Sequence, residues 1–167
     1  SAGYRFMLQR LQLPEVAVNV IGYGGRTLVE SEPTADFYCL QLSVRGTCRI
    51  EQDGVEVALP PGSLYVISPH HRLRQVHPAG YVQINARLGR GLVEAFVAAD
   101  EGGRRAPLEF VRAAFPASGA ARPLAGFLRY LCEDSASDLA PGYDPAAGLL
   151  AERTLLALLM ALIPSNR

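Results

Sequence analysis

The chain is expected to fold as a mainly β domain with helices at its C-terminal end, an α+β arrangement with the strands first. Three observations predict this. Apolar and polar residues alternate with period two from Tyr38 to Leu59 and again from Tyr81 to Leu88. Turn residues punctuate these runs at Arg45-Gly46, Asp53-Gly54, Pro61-Gly62 and Pro78-Ala79-Gly80. After Gly89 the period changes, and apolar residues recur at helical spacing in three later segments.

The elements follow in order. Residues 1–14 are a mixed arm that ends at Pro14. Val16 to Ile21 and Arg26 to Glu30 are strands split by Gly22-Tyr23-Gly24-Gly25, and Glu32-Pro33-Thr34 is a loop. Tyr38, Leu40, Leu42 and Val44 then alternate with Cys39, Gln41, Ser43 and Arg45. A two-residue loop at Arg45-Gly46 would set Leu42 opposite Arg49 and mix charge with apolar groups. A three-residue loop, Arg45-Gly46-Thr47, pairs Val44 with Cys48 and Leu42 with Ile50. The second is expected, because a slip of one residue turns every side chain to the wrong face. Asp53-Gly54 is a two-residue hairpin turn that pairs Gln52 with Val55 and Ile50 with Val57. Pro60-Pro61-Gly62-Ser63 fits a type II turn, with Pro61 fixing φ and Gly62 accepting a positive one. Leu64 to Ile67 is a strand ended by Pro69. His70 to His77 leads into another strand, and Tyr81 to Leu88 is the last.

Leu92, Val93, Phe96 and Val97 mark a short helix closed by Gly102-Gly103, and 104–121 is irregular. Leu124, Phe127, Leu128 and Leu131 recur at i, i+3, i+4 and i+7, which predicts a helix from Arg122 to Ser135. A polar loop follows, and a last helix runs from Pro145, suited to a first turn, to Ile163. Its leucines cover far more than one stripe, so it needs cover on more than one side. Either the barrel and the preceding helix supply all of it, or one face meets a second subunit.

Length and charge narrow the function. With 167 residues the chain holds one domain with a proper core: the arm 1–14, a strand region 15–88 and a helical region 89–167. No run reaches the length of a membrane span, and no basic region precedes an apolar core at the N-terminus. A cytoplasmic protein without a membrane partner is expected. The formal charge is zero and every basic residue is arginine, so this segment is not built to grip nucleic acid by itself. Cys39, Cys48 and Cys132 are odd in number and form no CxxC pair, which reads as reduced thiols.

The stretch LQLSVRGTCRIEQDGVEVALPPGSLYVISP, Leu40 to Pro69, resembles the jelly-roll barrel of the cupins. Four segments in order resemble more narrowly the N-terminal effector-binding and dimerisation domain of AraC/XylS-family transcription regulators. They are LQLSVRG, LPPGSLYVISP, INARLGRGLVEAF and LLALLMALIPSNR, and the likeness spans Phe37 to Arg167. It implies a cupin-like barrel that binds a small-molecule effector, a homodimer, and DNA contact only through a C-terminal helix-turn-helix domain not in this chain. A stand-alone metal-free cupin, acting as a small-molecule isomerase or binding protein, is the alternative.

No metal, cofactor or catalytic group is expected. Metal-dependent cupins place two histidines and a glutamate before the first hairpin glycine and a further histidine after the next strand. Aligned on Gly46, the glutamate position is Cys39 and the histidine region falls at 33–35, while the later histidine position is Leu73 or Arg74. His70 and His71 are adjacent, so on a strand they point to opposite faces and cannot easily share an ion. No G-x-S-x-G frames a serine, and no Gly-Lys-Ser/Thr follows the glycines at 22, 24 and 25.

For a ligand the search is for polar groups on an inward apolar face. The resemblance singles out Arg45, because sugar-binding members carry an arginine-glycine at this strand end; a hairpin arginine in water is the plainer reading. Gln75 shares a face with Leu73 and is placed to hydrogen-bond a ligand. Tyr38 shares the apolar face of the meander, as a pocket or a core residue, and Val82 and Ile84 are apolar wall. By resemblance Tyr4 and Phe6 of the arm are lid candidates. For dimerisation the face of Leu155, Leu158, Leu159 and Leu162 is expected.

Overall fold

The computed structural model describes residues 6–33, 36–101, 107–135 and 144–167, with side chains for all but 6–9, 100, 101, 134 and 135. The strands are β1 (Phe6–Gln12), β2 (Val16–Tyr23), β3 (Thr27–Ser31), β4 (Phe37–Arg45), β5 (Cys48–Gln52), β6 (Val55–Leu59), β7 (Ser63–Ile67), β8 (Leu73–His77) and β9 (Tyr81–Gly89). Helix α1 (Arg90–Glu101), the two-residue strand β10 (Phe115–Pro116), α2 (Arg122–Ser135) and α3 (Pro145–Leu162) follow. The Gly102-Gly103 stop expected for α1, Tyr4, and most of the loop before α3 lie outside the described residues.

The strands form two antiparallel sheets. One runs β1-β2-β9-β4-β7-β10, the other β3-β8-β5-β6. The hairpin β5–β6 has the expected register, Gln52 opposite Val55 and Ile50 opposite Val57. Asp53 and Gly54 take φ of 48° and 77°, as a type I′ turn requires. Gly62 has φ 77°, and the Ser63 amide donates to the Pro60 carbonyl at 3.1 Å, closing the type II turn.

One register expectation is overturned. β4 and β5 are not a hairpin, so Val44 does not pair with Cys48 nor Leu42 with Ile50. β4 lies between β9 and β7, and β5 between β8 and β6. The three residues Arg45-Gly46-Thr47 form a corner at which the chain leaves one sheet for the other. A bulge between Ser43 and Arg45 bends the strand end there. Gly46 takes φ 86°, its carbonyl accepts from Ser43 Oγ at 2.8 Å, and the Ser43 carbonyl accepts from the Gly62 amide at 2.8 Å. Period-two alternation says that one face of a strand is apolar; it does not say what covers that face.

The covering differs on the two sides of the large sheet. Tyr38, Leu40, Leu42, Ile84, Ala86 and Leu88 point away from the second sheet and join Leu124, Leu128, Leu155 and Leu159 of the helices in the main core. A smaller cluster of Cys48, Ile50, Leu59, Tyr65 and Tyr81 lies between the sheets. Tyr38 and Leu42 therefore do not share an interior with Ile50 and Val57, as a continuous apolar face would have had it.

The arm is a strand from residue 6. β1 pairs with β2 from Phe6↔Tyr23 to Gln12↔Ala17, and Leu11 and Leu13 are buried. α2 packs across β1, β2 and β9, and α3 packs on α2. Asp144 caps α3 by accepting from the Ala146 amide at 3.3 Å. α3 has the length and composition of a membrane span. Its Leu155, Leu156 and Leu159 are nonetheless core residues, and its buried Glu152 carboxylate accepts the Glu15 amide of the β1–β2 turn. Of the stretch read as irregular, the described part from residue 107 is a strap. The Val111 amide donates to the Pro164 carbonyl at 3.0 Å and the Asn166 amide to the Glu109 carbonyl at 2.9 Å. Phe110 donates to Ser68 Oγ at 3.1 Å, and β10 pairs with β7.

Candidate functional site

The candidate site is the buried layer between the sheets. The helix-facing side of β4 takes Tyr38, Leu40 and Leu42, so alternation gives the inward side Gln41 and Ser43. In β9 the same logic sends Ile84, Ala86 and Leu88 outward and Tyr81 and Gln83 inward. β5 contributes Cys48, Ile50 and Gln52, β7 contributes Tyr65, and β8 contributes Leu73, Gln75 and His77. The inward surface is thus mostly amide, hydroxyl, thiol and ring.

These groups form a directed chain of hydrogen bonds across the two sheets. His77 Nε2 meets Gln75 Oε1 at 2.8 Å, Gln75 Nε2 donates to Gln41 Oε1 at 3.1 Å, and Gln41 Nε2 donates to the Tyr81 hydroxyl at 3.2 Å. An amide oxygen only accepts, so the Nε2 of a neutral His77 carries the proton and Nδ1 is left as an acceptor. Cys48 Sγ lies 3.8 Å from Gln75 Oε1, and the Tyr65 hydroxyl donates to Gln52 Oε1 at 3.0 Å. The His77 ring stacks on Tyr81 at 4.7 Å and 11°, and Tyr23 lies 4.4 Å away on a tilt.

Among the described residues, three buried side-chain polar atoms lack a partner: Gln52 Nε2, His77 Nδ1 and Gln83 Oε1. All three belong to this interior. A buried group left unpaired costs about 1–3 kcal/mol, so three of them in one interior are chemically informative.

Burial sets the ionisation. It lowers His77 from 6.5 to about 4, so the imidazole is neutral. It pushes the Cys48 thiol and the Tyr65 phenol each up to about 12, and raises Tyr81 as well. Cys39 and Cys132 are likewise raised, to about 12 and about 11, so none of the three free thiols is an activated nucleophile. Such an interior is equipped to hold a molecule by neutral hydrogen bonds. No group of three His, Cys, Asp or Glu able to hold a metal occurs among the described residues.

The residues expected to bind ligand divide. Gln75 sits at the centre of the hydrogen-bond chain, and Leu73 is half-buried beside the inner cluster. Arg45 is exposed and donates from Nε to the Gly80 carbonyl at 2.8 Å, outside the interior. Tyr38 is turned to the helices: its hydroxyl donates to the Leu108 carbonyl at 2.7 Å and its ring meets Phe110 edge-on at 5.7 Å. Ile84 lies in the helix-side core and half-buried Val82 is on the same face of β9, so neither is a wall of the interior. On α3, Leu155 and Leu159 are fully buried in the protomer's own core and are not available to a partner; Leu158 and Leu162 are partly buried against it.

Two charged regions lie outside this space. At one end His71 bridges Asp53 and Glu109, the latter at 3.0 Å, while Arg112 donates to Asp53 at 3.1 Å; together they tie the β5–β6 turn to the strap. On the outer face of the second sheet is a groove of about 590 Å³ lined by Arg26, Arg49, Glu51, Glu56 and Arg74. Its size would make it the first choice for a site. Four of its charges, however, pair with one another, Arg49 with Glu56 at 3.7 Å and Arg74 with Glu51 at 3.9 Å, and they are well exposed. Paired, solvated charges offer a ligand little, so the interior is the stronger candidate.

Sequence reasoning did not single out Gln41, Gln52, Tyr65, His77, Tyr81 or Gln83 as site candidates. A usable signal was present. Away from Arg45 and Arg87, the polar positions of β4 and β9 are amides and a hydroxyl (Gln41, Ser43, Gln83, Asn85), whereas the outward positions of β5, β6 and β8 carry charges (Arg49, Glu51, Glu56, Arg74). Charges mark water; a polar face free of charge marks burial beside partners.

The profile of the AraC-binding-like domain family matches residues 1–163. The crystal structure of the AraC-like transcriptional activator CuxR is similar over 97% of this chain, with a TM-score of 0.74 and 14% identity. The chain spans 58% of the length of that structure. An RmlC-like cupin from Shewanella frigidimarina aligns with 53% of this chain and 79% of its own, at 20% identity and a TM-score of 0.45. KdgF from a Halomonas species aligns with 54% of this chain and 82% of its own, at 15% identity and a TM-score of 0.45. No curated protein matches the chain.

Proposed function

The chain belongs to the AraC-binding-like domain family, and from that premise we propose that it is the ligand-sensing and dimerising part of a transcription regulator, without catalysis of its own. The observation that carries the reading is the buried polar interior, with its directed hydrogen-bond chain and three unpartnered atoms beside an apolar core. A small effector enters between the sheets and replaces the missing partners. DNA is contacted by a domain outside this chain. An effector that binds one conformation better than another shifts the regulator by that difference in affinity and no more.

The second part of the reading is a homodimer through α3. Leu149 and Leu150 are 48% and 66% exposed on a helix that is otherwise apolar nearly all round. A second copy covers this side, and the partner-facing leucines are these two rather than Leu155 and Leu159. The protein works in the cytoplasm, where effector and promoter meet.

The test of effector binding is a thermal-shift screen of the chain over metabolites, repeated on Gln75→Leu. A compound that raises the melting temperature of the parent but not of the variant supports the reading. A screen in which every compound that binds does so equally well to Gln75→Leu removes the interior as the sensing site.

A further inference from the structure

The second sheet ends on two open edges, and one of them is self-complementary. Its strand order is β3-β8-β5-β6, so among the described residues β3 pairs with β8 on one side and with no strand on the other. An edge strand turns half of its backbone N–H and C=O groups outward, a ready template for a further strand. The register Leu28↔Val76 and Glu30↔Arg74 sets Leu28 and Glu30 on the outer face of the sheet, and Arg26 precedes them at the same spacing. All three are exposed, Leu28 at 51%. Glu30 holds Arg74 at 3.3 Å, whereas Arg26 has no ion-pair partner among the described residues.

A lone exposed leucine is ordinary, and charges on an edge strand commonly keep other strands away. The order of these three residues does the opposite. Arg26-x-Leu28-x-Glu30 read backwards has the same centre and inverted charges. An antiparallel copy centred on Leu28 therefore sets Arg26 opposite the partner's Glu30, and Glu30 opposite the partner's Arg26. Opposite charges directly across an antiparallel pair attract, and the two leucines between them bury each other. A slip of one residue would put the outer side chains of one copy beside the inner ones of the other, and a slip of two would set Leu28 against a charge, so the register is specified. The remaining edges lack this property. β6 carries Glu56 as its one charge, β1 carries Arg10, and β10 is two residues ending in Pro116.

We propose that β3 is a second self-association surface, at which two copies pair antiparallel about a two-fold axis at Leu28 and join their four-stranded sheets into one continuous sheet. It lies on the second sheet, whereas α3 packs on α2 over the far side of the large one, so the two contacts do not compete. A chain with two different isologous contacts builds tetramers or longer arrays rather than stopping at a dimer. One strand pair is a small contact, and its dissociation constant is expected on the order of 100 μM. At micromolar concentration it is therefore silent between separate protomers and adds only where copies are already gathered.

The test is sedimentation velocity on the 167-residue chain from about 5 μM to about 1 mM in low salt, where surface charges are least screened. It is run in a Leu150→Arg background, which keeps the proposed α3 contact out of the reading. That chain is expected to be a monomer at the low end and a dimer at the high end. Adding Arg26→Glu, which sets glutamate against glutamate, is expected to weaken this association about tenfold or more, and Glu30→Arg likewise. Both positions are exposed, so neither change touches the core. The two variants mixed in equal amounts are expected to associate again, since each then meets the opposite charge at both positions. No association of the Leu150→Arg chain up to about 1 mM overturns the proposal. So does association that Arg26→Glu leaves unchanged, or a mixture that associates no better than its components. A chain already dimeric at micromolar concentration in this background removes the α3 contact; the proposal then stands if Arg26→Glu breaks that dimer and falls if it does not.

Discussion

His77 packs against the rings of both Tyr23 and Tyr81, and burial holds its imidazole neutral with a pKa lowered from 6.5 to about 4. The unfolded chain has no such constraint. Between about pH 6.5 and 4 the unfolded state therefore binds a proton that the folded state refuses, and stability falls as pH falls. The slope from this one group is roughly 1.4 kcal/mol per pH unit, flat above the unfolded value and flat again below the folded one. His77→Phe preserves the stack and removes the titration. The stability difference between the parent and His77→Phe, from urea melts at pH 7, 5.5 and 4, is expected to move by about 3 kcal/mol against the parent over that range. A difference that stays constant with pH would show that His77 titrates normally in the folded state.

Two elements carry the geometry that positions the interior. The first is the corner at Gly46, where the chain changes sheets. A Cβ there would lie 3.1 Å from Pro78 Cγ and 3.2 Å from Tyr81 Cδ2, on a residue with φ of 86°. Gly54 also has a positive φ, 77°, but a Cβ there meets nothing within 4 Å. Gly54→Ala is expected to cost about 1 kcal/mol from backbone strain alone, and Gly46→Ala about 2 kcal/mol from strain plus crowding. Equal costs in denaturant melts would mean that Tyr81 and Pro78 yield freely. The second element is α3. Leu155→Ala opens the core between α3 and its neighbours and is expected to cost about 3 kcal/mol, whereas Leu150→Ala, on the exposed side, costs under about 0.5 kcal/mol to the protomer.

For the whole molecule, the proposed dimer is tested at that exposed side. Leu150→Arg is expected to turn a sedimenting dimer into a monomer at micromolar concentration, with an unchanged circular dichroism spectrum, while Leu158→Arg disturbs the fold itself because Leu158 packs on the protomer's core. A dimer that survives Leu150→Arg would place the contact elsewhere. Much of this architecture was legible from local signals. Asp53-Gly54 set the register of β5 on β6, Pro61-Gly62 set its turn, and the spacing of Leu124, Phe127, Leu128 and Leu131 gave α2 its bounds. The candidate site was legible only at Gln75 and Leu73. Arg45 was a reasonable choice by resemblance and lies outside the interior. Gln41 and Gln83 escaped because a strand buried on both faces and a strand facing water share the same period.

The sequence by itself determined most of the strands and helices from residue 16 on, though not β1 or β10, which turns take positive φ, and that the later helices are apolar on several sides. These follow from interactions between residues a few positions apart. Only the tertiary structure decided which apolar face meets the helices and which inward face closes on the second sheet. That choice hangs on the corner at Gly46, where a three-residue link that fits a hairpin instead carries the chain across to the other sheet. Its consequence is nonlocal: residues 41, 52, 65, 75, 77, 81 and 83, drawn from five strands, become one buried polar surface. Nothing local in the chain makes those residues neighbours.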